Sequence, residues 1–241
     1  MRRVALVTGA ARRLGAAIAR HLGERGYATC VHCHTSHTEA EQVAAAIRGA
    51  GADAWVMQAD LTVEAEVAAL FEQVAAKAGR LDVVVNNVGT YQVKPVAELT
   101  PADWRYVLDG NLTATFHGCH FALPLLRASA PGGRIVNLGY ASCGRIVARP
   151  RAAHYQLAKT GVLLYTQALA KALAGEGITV NCLSPGHLEN SVDLPDDPDT
   201  AIPAGRPASE ADVLAALDYL LSEGGAYVTG QNLEVAGGFN L

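Results

Sequence analysis

Tyr155 and Lys159 stand four residues apart in a stretch whose apolar periodicity predicts a helix over 152–174, so both side chains reach one site. An ammonium beside a phenol lowers the phenol pKa from about 10 toward neutral pH. Such a tyrosine can hand a proton to a carbonyl oxygen whose carbon is receiving hydride. A second cluster, Thr8-Gly9-Ala10-Ala11-Arg12-Arg13-Leu14-Gly15, lies between a short apolar run and the first helical stretch. Small residues at a strand-to-helix turn let the backbone approach a pyrophosphate, and the helix N-terminus adds N–H donors and a positive dipole end. Gly9 and Leu14 belong to this expected phosphate loop. Arg13 stands where a dinucleotide loop usually carries glycine, and its guanidinium can fork onto phosphate oxygens.

The second strand-like run ends in His32-Cys33-His34-Thr35-Ser36, with no acid before Glu39. An NAD site normally carries Asp or Glu at this strand end for the ribose 2′-hydroxyl. His34, Thr35 and Ser36, with Arg13 nearby, suit a 2′-phosphate instead, so NADP(H) is expected over NAD(H). Cys30 and Cys33 with His32, His34 and His37 imitate a metal motif. Zinc needs four convergent ligands, consecutive strand residues point to opposite faces, and no second cysteine pair exists; no metal site is expected.

These residues need elements to position them. Apolar runs predict strands at Val4–Val7, Ala28–Cys33, Ala54–Met57, Leu81–Val85, Arg134–Leu138, Ile178–Leu183 and Asn232–Val235. Helical periodicity fills 14–25, 63–78 and 152–174, with Gly79 ending the second of these. Thr38 and Glu41 have capping-box spacing and predict a helix to about Ala50. Thr100-Pro101-Ala102-Asp103 opens a long helix to about Ala128, and Ser209 caps another to Leu221. Strand and helix alternate throughout, and the strands are continuous apolar runs, as when both sheet faces are covered. The expected fold is α/β: a Rossmann-like, doubly wound parallel sheet in three α/β/α layers, one domain over 1–241. The long irregular stretch 186–208, rich in Pro and Asp, is the expected substrate loop.

Composition narrows the class. The chain has 241 residues, 50% apolar and 17% charged, too apolar for a disordered protein. Its net charge of −4 gives no electrostatic case for nucleic acid or a membrane surface. No apolar stretch is long enough to span a membrane. The start, Met1-Arg2-Arg3 before an apolar run, imitates a leader, but Arg12 and Arg13 interrupt it and a first strand is the reading. Five cysteines, an odd number, argue against a disulfide framework and fit a reducing cytoplasm.

Taken in order, Thr8-Gly9…Gly15, Asp60, Asn86-Asn87-Val88-Gly89, Asn111, a serine after the fifth strand, Tyr155…Lys159 and Pro185-Gly186 resemble the short-chain dehydrogenase/reductase family over essentially the whole chain. The resemblance implies hydride exchange between a nicotinamide and a small carbonyl or alcohol. It makes Tyr155 the acid, and gives Lys159 the nicotinamide ribose and the tuning of Tyr155. It gives Asn111 a proton-relay water, and Asp60 and Leu61 the adenine. Asn87, Val88, Gly89, Pro185 and Gly186 would line the cofactor. Ser142 lies thirteen residues before Tyr155, the spacing of the family serine, and is expected to take that catalytic role; the alternative is Tyr140, which occupies the slot counted from the strand end. Tyr91, Tyr140 and His187 are expected to face substrate.

Two subgroups compete. The phosphate loop and Tyr91 resemble pteridine reductases; a Ser-Tyr-Lys set resembles 3-oxoacyl carrier-protein reductases. Carbonyl reduction is the expectation and pterin reduction the alternative. A non-enzymatic NADP sensor would need the loop but not the Tyr-Lys pair. Glu189, Asp193, Asp196, Asp197 and Asp199 in the substrate loop would disfavour a polyanion entering from that side. Small residues on the two long helices, Ala114, Gly118, Ala122, Ala158, Gly161, Ala168, Ala170 and Ala172, would let copies pack closely, and the resemblance implies a homo-oligomer, a tetramer or else a dimer.

Overall fold

Each apolar run becomes a strand of one parallel sheet. The computed structural model describes residues 2–129, 132–191 and 194–239. The strands are β1 (Val4–Val7), β2 (Ala28–Cys33), β3 (Ala54–Gln58), β4 (Val83–Asn86), β5 (Arg134–Leu138), β6 (Thr179–Pro185) and β7 (Asn232–Val235). Their seven-stranded order is β3-β2-β1-β4-β5-β6-β7, every pair parallel. The order reverses between β1 and β4, and the crevice at their carboxyl ends is where such sheets bind ligands.

Alternation along the strands builds two cores. Ala5 and Val7 of β1 join the layer formed with α1 (Arg13–Glu24), α2 (His37–Gly49) and α8 (Glu210–Leu221). Val4 and Leu6 face the opposite layer, with α3 (Glu64–Ala78), α5 (Ala114–Ala128) and α6 (Ala153–Leu173). The sheet is therefore covered on both sides, the three-layer architecture that uninterrupted apolar strands require.

Local signals act as expected at several ends. Gly79 takes the left-handed conformation, φ +67°, and its N–H bonds to Ala75 O at the end of α3. Thr100 and Asp103 form a reciprocal capping box on α4 (Pro101–Leu108), and Ser209 and Asp212 form one on α8. The Thr38–Glu41 box does not form. Ser36 occupies the cap of α2 without a side-chain bond, and Glu41 pairs with Arg48 instead.

The long helix expected to Ala128 is broken. Residues Asp109–Thr113 form a π-helical segment between α4 and α5. Its wider turn drops Asn111 inward, where Nδ2 donates to Val107 O at 2.9 Å and Thr90 O at 2.8 Å. The side chain thus takes over a helix acceptor, Val107 O, that a regular helix would satisfy itself, and ties the helix to the loop after β4 through Thr90 O.

Stretch 186–208 is more ordered than a free loop. Leu188 bridges Ala208, Asp197 caps the short α7 (Pro198–Ala201), and Ile202 is buried. Small residues on the long helices mostly face inward: Ala114, Gly118, Ala122, Ala158 and Ala170 are buried within the chain. Larger side chains, Phe116, Leu157 and Leu164, stand exposed on α5 and α6.

Candidate active site

The phosphate loop is built by the end of β1. Gly9 sits at φ +62°, and its N–H donates to His32 Nδ1 at 3.0 Å. His32 Nε2 bonds Ala59 O at 3.0 Å, and burial pulls its pKa down to about 4, so the ring is neutral and Nδ1 accepts. A Cβ on Gly15 would meet Gly9 O at 2.2 Å, so the loop and helix close onto each other only with glycine there. Thr8 Oγ1 accepts from Asn87 N at 2.9 Å and Val88 N at 3.1 Å, tying the loop to the end of β4. Arg13, at φ +49°, adopts the left-handed backbone that glycine usually supplies, with its side chain exposed.

Beside this loop lies a cavity of about 460 Å³ that contains His34, Thr35, Ser36, Asp60, Leu61 and Val88. Burial of Asp60 is outweighed by hydrogen bonds from Thr62 N and Oγ1, at 2.9 and 2.8 Å, so its carboxyl sits below the ordinary value. Arg12 at its mouth pairs with Glu39.

A second cavity, about 430 Å³, opens at the carboxyl ends of β4, β5 and β6. It is lined by Arg13, Leu14, Asn87, Gly89, Tyr91, Tyr140, Tyr155, Lys159, Pro185, Gly186 and His187, bringing these expected site residues together. Tyr155 is half-buried and Lys159 buried. Lys159 Nζ donates to Leu138 O at 2.7 Å, and burial lowers its pKa to about 8. Asn111 Oδ1 is buried with no hydrogen-bond partner among the described residues, and a Cβ on Gly89 would meet it at 2.8 Å and Lys159 Nζ at 3.3 Å. The bare Gly89 therefore leaves a carbonyl acceptor and an ammonium on either side of one narrow space.

The Tyr155 ring packs against Tyr91 at 4.8 Å and Tyr140 at 5.7 Å between centroids. Ser142 does not line this cavity; it is buried in a left-handed turn at φ +68°. Its Oγ donates to Ala141 O at 2.5 Å and lies 3.4 Å from the Tyr140 hydroxyl, while its N–H donates to Glu234 Oε1 at 3.0 Å. Beneath Lys159, Cys143 and Cys182 flank Ser184; hydrogen bonding between the two thiols holds Cys143 down and pushes Cys182 up.

None of the described loop acids lines the cavity, so the expected acidic screen is not built there; Asp193 lies outside the described residues. Sequence reasoning missed three contributors. His32 looked like a metal-motif residue, although its position one strand from Gly9 made it a natural support. Arg149, which lines the cavity, lies in a loop without periodicity. Glu234 comes from β7, distant in sequence from the turn it holds.

A family model described as enoyl-(acyl carrier protein) reductase matches residues 9–240. A 3-oxoacyl-(acyl-carrier-protein) reductase of Staphylococcus aureus is 35% identical, covering 100% of this chain and 99% of its own. The 3beta-hydroxysteroid dehydrogenase 1 of Eggerthella lenta is 34% identical over 98% of this chain and 93% of its own. The crystal structure of acetoin dehydrogenase from Salmonella typhimurium superposes with a TM-score of 0.90 at 28% identity, covering 99% of this chain and 96% of that one. With a tyrosine and a buried lysine one turn apart at the carboxyl edge of a parallel sheet, and with relatives matched end to end, the chain belongs to the short-chain dehydrogenase/reductase family of oxidoreductases.

Proposed function

We propose that this enzyme reduces a small carbonyl compound, or oxidises the matching alcohol, with NADP(H). One observation carries the reading: Tyr155 and the buried Lys159 line one cavity, with Asn111 Oδ1, which has no hydrogen-bond partner among the described residues, beside the lysine across Gly89. When bound, the nicotinamide exchanges the hydride. Tyr155 holds the proton at the substrate oxygen, and Lys159 keeps that proton mobile through its charge. Asn111 offers an acceptor to a relay water behind the lysine.

The residues fit a dinucleotide. Gly9 and Gly15 let the loop close tightly against α1 and the end of β4, and the bare Gly89 keeps open the space between Asn111 and Lys159. Gly9, Arg13 and Leu14 would hold the pyrophosphate; His34, Thr35 and Ser36 the 2′-phosphate; Asp60 and Leu61 the adenine. Asn87, Val88, Gly89, Pro185 and Gly186 would line the nicotinamide half, and Tyr155 and Lys159 its ribose. Absence of a carboxylate over 34–36 supports NADP(H) over NAD(H). Tyr91, Tyr140 and His187 would face substrate. Tyr140 reaches the cavity and Ser142 touches Tyr140, so Ser142 acts as a positioning residue behind it.

The whole chain then works as one dinucleotide-binding domain, with 186–208 as its substrate loop. Exposed Phe116, Leu157 and Leu164 on α5 and α6 support assembly of copies through those helices, as a tetramer or dimer. Five buried free thiols are in keeping with the reducing cytoplasm.

The test is NADPH oxidation with simple ketones. Tyr155→Phe should keep NADPH binding and lose turnover by 10² or more, the scale of general acid catalysis. Wild-type turnover in Tyr155→Phe refutes the reading. Tyr140→Phe should cost more than Ser142→Ala, and titration should show NADPH bound at least tenfold tighter than NADH, about 1.4 kcal/mol. Pterin reduction is the second reading, favoured by three tyrosine rings, Tyr91, Tyr140 and Tyr155, that line one cavity and could stack a flat heterocycle. The same assay with dihydropterins decides it.

A further inference from the structure

The cavity at Tyr155 is cationic in a chain of net charge −4. Its lining includes Arg12, Arg13, Arg149 and Lys159 and, among the described residues, no carboxylate. Three of these charges have tasks on the reading above. Arg12 pairs with Glu39, Arg13 belongs to the phosphate loop, and Lys159 serves the tyrosine and Leu138 O. Arg149 has none.

Its guanidinium carbon lies 5.0 Å from the centre of the Tyr140 ring. Nη2 donates a long bond, 3.3 Å, to Ser142 Oγ, and Nε is buried with no acceptor among the described residues. Nε and Nη2 form the side-on fork of a guanidinium, the edge that takes both oxygens of a carboxylate. A buried donor left without an acceptor is costly, so an anion that reaches this edge recovers more than its Coulomb attraction.

The surroundings extend the same charge. Arg149 also lines a neighbouring cavity of about 660 Å³, together with Arg145, Arg151, Tyr91 and Ser142, again with no acid. Tyr140 touches both Tyr155 and Arg149, so one aromatic ring separates the proton donor from the guanidinium.

We propose that Arg149 is the specificity-determining residue of this enzyme, and that its substrates are small oxo acids whose carboxylate is carried on a short spacer from the carbonyl. The carbonyl oxygen meets Tyr155 while the carboxylate takes the Nε–Nη2 edge of Arg149. The inference rests on the carbonyl-reduction reading and adds the substrate class to it. A small ligand fits better than an acidic protein surface, because the orphaned Nε is buried inside the cleft rather than presented on a face.

Calorimetric titration of the NADP⁺-saturated protein compares 4-oxopentanoate and 5-oxohexanoate with their methyl esters. At least one acid should bind tenfold or more tighter than its ester, about 1.4 kcal/mol. Arg149→Met should collapse that ratio toward one, and Arg149→Lys, which keeps the charge but loses the fork, should retain part of it. Equal binding of acid and ester in the wild type, or a ratio that survives Arg149→Met, overturns the proposal. If Arg149→Met does not fold, Arg149→Lys decides: an undiminished acid preference there overturns it. NADPH oxidation separates the two readings. Acids that bind as expected while no acid or ester is reduced would sink carbonyl reduction and leave the anion site standing. Acids and esters reduced with equal kcat/KM would sink the anion site and leave carbonyl reduction standing. An acyl group on an acidic carrier protein whose binding needs Arg149, with the free acids indifferent to it, would also overturn the proposal.

Discussion

Arg13 carries its own backbone strain. At φ +49° an L residue loses about 1–2 kcal/mol relative to the right-handed region, and nothing in the fold of α1 needs an arginine there. Strain kept at an exposed position of a phosphate loop points to work by the side chain. Arg13→Gly is therefore expected to stabilise the fold by up to about 1 kcal/mol in urea unfolding and to weaken NADPH binding at least tenfold by fluorescence titration. A variant that is more stable yet binds NADPH as before would remove Arg13 from the cofactor site. The position was legible because the loop's place and its usual glycine were both visible in the sequence. Tyr155 and Lys159 were legible for a similar reason, since one helical turn fixes their mutual reach. Ser142 was not. Counting back from Tyr155 and forward from the strand end gives two different answers, and only the left-handed turn at 142 shows which side chain is folded away from the cleft.

Packing between elements decides what the periodic pattern leaves open. α5 lies so close to β4 that a Cβ on Gly118 would meet Asn86 Oδ1 at 2.2 Å. Asn86 Nδ2 is already committed to Asn137 Oδ1 at 2.8 Å, and Asn137 Nδ2 to Thr166 Oγ1 at 2.9 Å, so the amide has little freedom to withdraw. Gly118→Ala should destabilise by about 1–3 kcal/mol in thermal or urea unfolding, as overpacking does, despite alanine's better helix propensity. An unchanged or raised midpoint would mean that the helix can shift outward. Helix ends with a reciprocal cap were readable from sequence, as Thr100 and Asp103 show. The Thr38–Glu41 pair had the same spacing without the same result, because Arg48, two turns further along, competes for Glu41. The π-helical break at Asp109–Thr113 had no local signal. Its cause is an inward asparagine, and which face of a continuous apolar-rich helix an asparagine prefers depends on the loop that Thr90 brings beneath it.

For the molecule as a whole, alternation of strands and helices fixed the doubly wound sheet, and the strand reversal between β1 and β4 placed the cleft. Electrostatics was legible only as a sum. A net charge of −4 conceals a cleft that gathers four cations, because charge sign along the chain says nothing about which loops converge. Cysteine number argued against a disulfide framework, and the fold adds that all five thiols are free and buried. Cys30 and Cys119 have their thiols pushed up to about 12 by burial. In this state a thiol-specific reagent has almost no thiolate to attack, so labelling must wait for the chain to open. The five cysteines thus form a built-in clock of local unfolding. Cys143, on the turn after β5 and held down by its neighbour, should label first; Cys30 in the sheet and Cys119 in α5 should label last, at the rate of global unfolding. Mass spectrometry of the native enzyme against time would read that order, and simultaneous labelling of all five would show that the active-site turn opens only when the whole sheet does.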